Sequence, residues 1–269
     1  MLDYDDIVAI APKAAGHKNL VNRLLHLLSV DKVNDVHSRF CSTPGPEFTR
    51  RLLNDLDITL RVDGEQVLAD HEGMPFITVS NHPFGALDGI SLIALVSRYS
   101  PGFKVMVNMI LNRIGAMRPN FIAVDALQSD DPEKRKVSMN GIREAIKQVR
   151  SGQPIGFFPA GAVSKWNRRL QLEDRQWQPT IVRLARQLKV PVIPIYFHGS
   201  NSLWFNILGV ISWQLRTLRL PAEVWKKSHT TIHISVGDPI SAETIASFGD
   251  DDALGKFLKQ STYALRKRK

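Results

Sequence analysis

The chain has 269 residues and one cysteine, Cys41. A single cysteine excludes an internal disulfide framework and any multi-cysteine metal site. Cys41 is expected to be an inert, semi-buried thiol. No apolar run reaches the ~18 residues that a spanning helix needs. The opening stretch MLDYDDIVAI is acidic, so no secretory signal is expected and the cytoplasm is the expected compartment. The sequence also lacks a GxSxG nucleophile elbow, an internal repeat and any low-complexity segment. No metal-ligand spacing is evident, and neither a metal nor a resident cofactor is expected.

What is there begins with charge. The net charge is +9 and the pI about 9.8. Nucleic acid, an anionic membrane surface or an acidic carrier protein would each match that excess. Nucleic acid has charge alone in its favour. There is no zinc-finger pattern, and SKWNRR is a weak stacking platform, so it is not expected as a partner. The hydrophobic content of 43% suits one globular unit with a real core.

Residues 1–56 read as a helical N-terminal extension, with HKNLVNRLLHLLSV its clearest amphipathic stretch. From residue 57 to 269 the texture is that of one compact domain. Short apolar runs alternate with helical patterns. Strands are expected at Ile58–Val62, Pro75–Val79, Phe103–Val107, Asn120–Val124, Ile155–Phe158, Val192–Phe197 and Thr231–Val236. Helices are expected at Ala86–Tyr99, Pro132–Arg150 and Pro179–Leu188. That alternation predicts an α/β fold, a central sheet flanked by helices. Ligands of such sheets bind beyond the carboxyl ends of strands. Three loops there carry unusual chemistry: NHPFGALDG, FFPAGAVS and HGSNS.

In the first loop, Pro83 biases His82 to an extended conformation. Gly85 permits a sharp turn. Asp88 falls in the first turn of the following helix. With a turn between them the two side chains can meet. A carboxylate on one imidazole nitrogen fixes the tautomer and leaves the other as a base. No serine or cysteine stands ready beside this pair, so the substrate is expected to bring the nucleophilic hydroxyl. Asp88 is equally suited to complementing the helix dipole.

Taken in order, NHPFGALDG, FFPAGAVS and VPVIPIYFHGSNS resemble the blocks of the lysophospholipid acyltransferase superfamily, which includes the glycerol-phosphate and lysophosphatidate acyltransferases. Asn81, His82 and Asp88 match the first block, here as a HX5D spacing rather than HX4D. Phe158, Pro159, Gly161 and Ser164 match a later block. Val190, Pro191, Val192, Ile193 and Pro194 match the last. The resemblance implies a glycerol-phosphate-acyltransferase-like fold and a transferase, with His82 and Asp88 catalytic. It also implies substrate contacts at Asn81, Phe158, Pro159, Gly161 and Ser164, with backbone amides near Gly161 as oxyanion donors. The co-substrate would be an acyl thioester of acyl carrier protein or coenzyme A.

Departures from the pattern bear on the acceptor. Ala160 and Val163 stand where the family has glutamate and arginine, and Asp125 lies near the place of a second arginine. A phosphate acceptor is therefore disfavoured. Arg118 and Arg168 are the substitutes to consider. The variant blocks look like a bacterial subgroup labelled hemolysins, some of whose relatives acylate lyso-ornithine or glycine lipids. An amino-acid lyso-lipid is the expected acceptor; 1-acylglycerol-3-phosphate, or a catalytically silent lipid-binding relative, is the alternative.

Delivery of a lipid needs a surface. In residues 201–220, Trp204, Ile207, Leu208, Ile211, Leu215 and Leu218 form one helical stripe, with Phe205 and Trp213 outside it. Trp204, Phe205 and Trp213 are the expected membrane contacts of an interfacial helix on the inner face of the cytoplasmic membrane; a buried core helix fits the same pattern. Lys165, Trp166, Arg168 and Arg169 offer cations to lipid, carrier protein or coenzyme A phosphates.

Overall fold

The computed structural model describes residues 15–27, 29–125, 132–167, 169–211, 216 and 219–267. A seven-stranded sheet runs through it in the order β1-β9-β8-β2-β5-β3-β4. The strands are β1 Thr59–Asp63, β2 Ile77–Ser80, β3 Lys104–Asn108, β4 Phe121–Val124, β5 Ile155–Phe157, β8 Val192–Phe197 and β9 Thr231–Val236. A separate two-stranded hairpin joins β6 Lys165–Trp166 to β7 Leu172–Glu173. Strands β8, β2, β5, β3 and β4 run parallel; β9 lies antiparallel to β8 and carries β1 alongside it.

The central strands are buried throughout because helices cover both faces. ITVS of β2 and VIPIYF of β8 are buried at every position, as continuous apolar runs in parallel sheets generally are. Pro194 is tolerated inside β8 because it lies just beyond the β9 ladder. Pairing there starts at Ile195 with Val236, and the Pro194 carbonyl takes the Gly237 amide.

The helices are α1 Lys18–Leu27, α2 Val30–Phe40, α3 Pro46–Asp55, α4 Gln66–Ala69, α5 Ala86–Val96, α6 Pro132–Arg150, α7 Pro179–Leu188, α8 Leu203–Ile211, α9 Leu220–Trp225, α10 Ala242–Ala246 and α11 Asp251–Ala264. Alternation along each strand sends side chains into two cores. Ile193, Ile195 and Phe197 face Leu87, Leu92 and Val224 on one side; Ile77, Val79 and Phe157 face Val182, Leu254 and Leu258 on the other. Phe48, Leu52, Leu53 and Leu56 are buried in the first of these cores, so α3 packs with the sheet rather than apart from it. Cys41, expected to be semi-buried, is exposed at the end of α2. Among the described residues no helix is long and apolar enough to cross a membrane.

Candidate active site

Strand β2 lies between β8 and β5, so the loops leaving the carboxyl ends of all three meet. Asn81 ties two of them together. Its Nδ2 donates to the Phe197 carbonyl at 2.9 Å, and its Oδ1 accepts the Phe197 amide at 2.7 Å. A side chain thus continues the β2–β8 ladder one step past the strand. Asn81, matched to substrate contact, is committed to this backbone clasp.

The turn that follows requires Gly85. Its φ is +81°, and a Cβ there would stand 2.6 Å from Leu220 and 3.2 Å from Val163. The turn delivers Asp88, in the first turn of α5, back beneath His82. Asp88 Oδ2 accepts the amides of Phe84 and Gly85 at 2.9 and 2.8 Å and lies 2.9 Å from His82 Nδ1. The His82 contact is close but not collinear, a geometry that substrate binding commonly tightens. Asp88 therefore caps its helix and orients the histidine at once. Burial pushes its carboxyl above the usual range, while His82 and then the two amides pull it back. Asp88 is fully buried, whereas the His82 side chain remains 18% exposed. The imidazole stacks on Phe158, with ring centroids 4.3 Å apart and planes 29° apart. Phe158 is thus brought to the site as the floor under the histidine.

The loop after β5 forms the frame. The Gly161 amide donates to the Phe158 carbonyl at 2.9 Å. The Gly161 amide itself is thus spent on a tight turn. Arg175 and Gln178 pin the same turn through the Ala160 and Pro159 carbonyls. Ser164 donates its amide to the His82 carbonyl at 2.8 Å and its hydroxyl to Asp174 Oδ1 at 2.5 Å.

Asp174 was not legible in the sequence, yet it holds His82 from behind. It is buried and also accepts the His82 amide at 3.3 Å and Trp177 Nε1 at 3.2 Å. Its own backbone is fixed by the Tyr263 hydroxyl and Lys259 Nζ, both from α11. Burial raises the Asp174 carboxyl, and bonds from Ser164 and Trp177 oppose that rise. Lys227 supports the other side of the turn: it donates to the Ser200 carbonyl at 2.7 Å and lies 5.0 Å over the Phe84 ring. No periodicity or spacing marks either residue. Their contacts to His82 and Phe84 cross most of a domain in sequence.

Several expected residues lie elsewhere. Arg118 is exposed in the 3₁₀ turn just before β4 and donates to the Asn112 carbonyl at 2.7 Å. Because β4 is parallel to β2, its start is at the opposite edge of the sheet from His82, and Arg118 does not take a missing arginine's place. Asp125 follows β4, separated from β2 by β5 and β3, roughly 14 Å at ordinary strand spacing. His198, at the end of β8, stacks on His233 at 4.2 Å rather than entering the site. Trp204 is 68% exposed, in keeping with a surface role, but Phe205 is completely buried and cannot touch a membrane from there. Arg168, Trp213, Leu215 and Leu218 lie outside the described residues.

A backed imidazole with no enzyme nucleophile can deprotonate a hydroxyl brought by a substrate. Among the described residues no hydroxyl or thiol is hydrogen-bonded to the His82 ring, and Ser164, the hydroxyl in the neighbouring loop, is engaged by Asp174. Among them, too, no cluster of side chains is suited to a metal ion.

Known proteins resemble this chain. A family profile described as "Acyltransferase" matches residues 9–269. The chain is similar to the lyso-glycine lipid O-acyltransferase of Phocaeicola vulgatus, 25% identical over 97% of this chain and 94% of that protein. It is similar to the protein of the same name from Bacteroides thetaiotaomicron, 26% identical over 98% of this chain and 97% of that one. The crystal structure of the 1-acyl-sn-glycerophosphate (LPA) acyltransferase PlsC from Thermotoga maritima superposes with a TM-score of 0.54. At 16% identity, over 83% of this chain and 77% of that chain, it shows the fold alone.

Proposed function

The chain belongs to the acyltransferase family, within the lysophospholipid acyltransferase superfamily, and from that premise we propose that it acylates the free hydroxyl of a lyso-amino-acid lipid. The acyl donor in this reading is a thioester of acyl carrier protein or coenzyme A. The observation that carries it is the His82–Asp88 pair, buried on the carboxylate side and open on the histidine side.

Nδ1 faces Asp88, so Nε2 is the nitrogen that takes the proton of the acceptor hydroxyl. The oxygen attacks the thioester carbonyl, and a tetrahedral oxyanion forms. Its collapse breaks the C–S bond, and the thiolate leaves with the proton returned by the imidazolium. The products are an O-acylated lipid and a free thiol. Asp88 stabilises the imidazolium between the two transfers. Phe158 and the Ser164–Asp174 clasp hold the ring where both transfers occur.

The amino-acid acceptor is supported by the two relatives named for a lyso-glycine lipid. A peripheral position on the cytoplasmic face of the membrane is supported by apolar side chains at one rim. Leu203 and Trp204 at the start of α8 are 63% and 68% exposed, and Leu170 in the β6–β7 hairpin that α8 packs against is 75% exposed. Lys165 and Arg169 flank that tip with exposed cations, which suits an anionic lipid surface.

The test is direct. Purified protein is incubated with a synthetic lyso-glycine lipid and either acyl thioester, and products are read by mass spectrometry. A diacylated lipid and free thiol, absent with His82→Ala, are expected. Thioester consumption with no mass gain on any lyso-lipid would overturn the reading.

A further inference from the structure

Arg216 is a buried cation with no counter-charge among the described residues. It is 7% exposed. Its Nη1 donates to the Ser164 carbonyl at 3.1 Å and its Nη2 to the Val163 carbonyl at 3.0 Å. The guanidinium carbon lies 5.4 Å from the centroid of the Phe205 ring. Among the described residues no carboxylate is within ion-pair distance of it. Burial draws its pKa below the usual arginine value. Neutral carbonyls and an aromatic face orient a guanidinium but do not neutralise it. Arginine carries five N–H donors, and these two bonds account for two of them. Buried charges are otherwise paired.

Its location gives the unpaired charge a purpose. The two carbonyls that Arg216 grips belong to the loop whose Ser164 amide is bonded to the His82 carbonyl. The acceptor hydroxyl must reach His82, so the polar end of the acceptor comes up to the loop that this guanidinium grips. Other cationic side chains around these loops are directed elsewhere, Arg175 to the Ala160 carbonyl among them. Lys227 is bonded to Ser200, and Lys226 is paired with Glu223.

We propose that Arg216 is the receptor for an oxyanion on the acceptor headgroup, a carboxylate or a phosphate, and thereby sets acceptor specificity. This rests on the reading of the protein as a lyso-lipid acyltransferase. The planar fork suits bidentate binding of either group, and the anion would complete the charge that folding leaves unpaired.

The experiment varies charge on both sides. Three acceptors with matched acyl chains are compared: a lyso-glycine lipid with its free carboxylate, the same lipid as the neutral carboxamide, and lysophosphatidate. With wild-type protein, one anionic acceptor is expected to have a lower KM than the carboxamide, and that acceptor identifies the anion. Arg216→Gln should raise KM for it roughly 10- to 100-fold more than it raises KM for the carboxamide, the worth of a charged hydrogen bond, and any loss of kcat through the Ser164 loop should be common to all three acceptors. Arg216→Lys should recover part of the loss. Equal losses on charged and neutral acceptors would make Arg216 a structural tie and overturn the proposal. If Arg216→Gln does not fold, the decision passes to binding. Tryptophan fluorescence of His82→Ala protein, with and without Arg216→Lys, is titrated with acid and amide acceptors. Acid binding that is no tighter than amide binding, or unmoved by Arg216→Lys, overturns it. Because this measurement needs no turnover, it fails separately from the acyltransferase reading itself.

Discussion

Two histidines leave adjacent strands at the same edge of the sheet, and only one is built for chemistry. His82 follows β2 and His198 follows β8. His82 has a fully buried carboxylate at Nδ1, a phenylalanine under its ring, and backbone bonds on both sides. His198 has its Nε2 on the Ser235 hydroxyl at 2.8 Å and its ring parallel to His233. A second histidine disfavours a positive charge where an aspartate would favour it. The strand end supplies a place, and the partner decides whether the imidazole can cycle through its charged form.

The largest effect that tests this contrast is loss of the base. His82→Ala should lower turnover by ~10²–10⁴ without unfolding the protein, since the ring is a partly exposed loop residue. His198→Ala should stay within about threefold of wild type. Purified-enzyme kinetics on the same acceptor compare the two. A severe loss at His198, with an intact melting curve, would break the distinction.

Asp88→Asn should come next, with turnover down on the order of 10²-fold because the amide no longer stabilises an imidazolium. Stability should move the opposite way. Burial raises the Asp88 carboxyl in the folded protein above its unfolded value. A raised acid favours the fold below the unfolded pKa, ~4, and loses that advantage as pH rises through the folded value. The wild type therefore carries the cost at pH 7, and Asp88→Asn should melt a few degrees higher there. The gap should close toward pH 4. A variant that melts lower at pH 7 would show that the carboxylate's bonds to Phe84 and Gly85 outweigh its burial.

The sequence made His82 and Asp88 legible because a proline, a glycine and a first-turn acid are local signals. The seven strands of the main sheet were legible for a related reason. Those buried on both faces, β2, β5 and β8, are continuous apolar runs, whereas the edge strand β1 is only partly buried, and the bounds of all seven agree with the structure to within two residues. The β6–β7 hairpin was not read, since KW and LE are too short for any period. Asp174 was invisible because nothing in LEDRQWQP separates it from Glu173 beside it. Only the fold brings it to His82, 92 positions away. Phe205 was misplaced because an aromatic off the apolar stripe suits a membrane and a core equally well. The role of Gly161 is not fixed by the sequence, because a glycine offers an amide to a ligand or to its own turn; here its amide closes the turn.

Asp174 gives a smaller and sharper effect. Asp174→Ala leaves the Ser164 hydroxyl, Trp177 Nε1 and His82 amide without their acceptor. At about 1–3 kcal/mol for each unsatisfied group, the melting temperature should fall clearly. Turnover should fall about tenfold as His82 loses one of its backbone holds. Asp174→Asn keeps an acceptor oxygen in place and should recover most of both. Failure of Asn to recover turnover, with stability restored, would show that the charge itself acts on His82.

The smallest effect belongs to His198 and concerns acid stability. Burial, and then His233, hold its pKa below the ordinary value; Asp63 opposes this, and Arg266 adds to it. For a base with a depressed folded pKa, the sign is the reverse of that for Asp88. Its unfolded form takes a proton near pH ~6.5, while the folded form resists until lower pH. The contribution is intact above the unfolded pKa and is lost as pH falls toward the folded value. His198→Gln keeps a group able to bond Ser235 but cannot titrate. Compared with wild type, it should gain relative melting temperature as pH is lowered from 7 to 5, while turnover at pH 7 stays within about threefold. Thermal melts of both proteins across that interval measure it. A constant gap at every pH would mean that His198 does not change protonation on unfolding there. A gap that widens in favour of wild type at pH 5 would mean that Asp63, reached through His233, sustains a charged His198, and the two histidines would be more alike than their partners suggest.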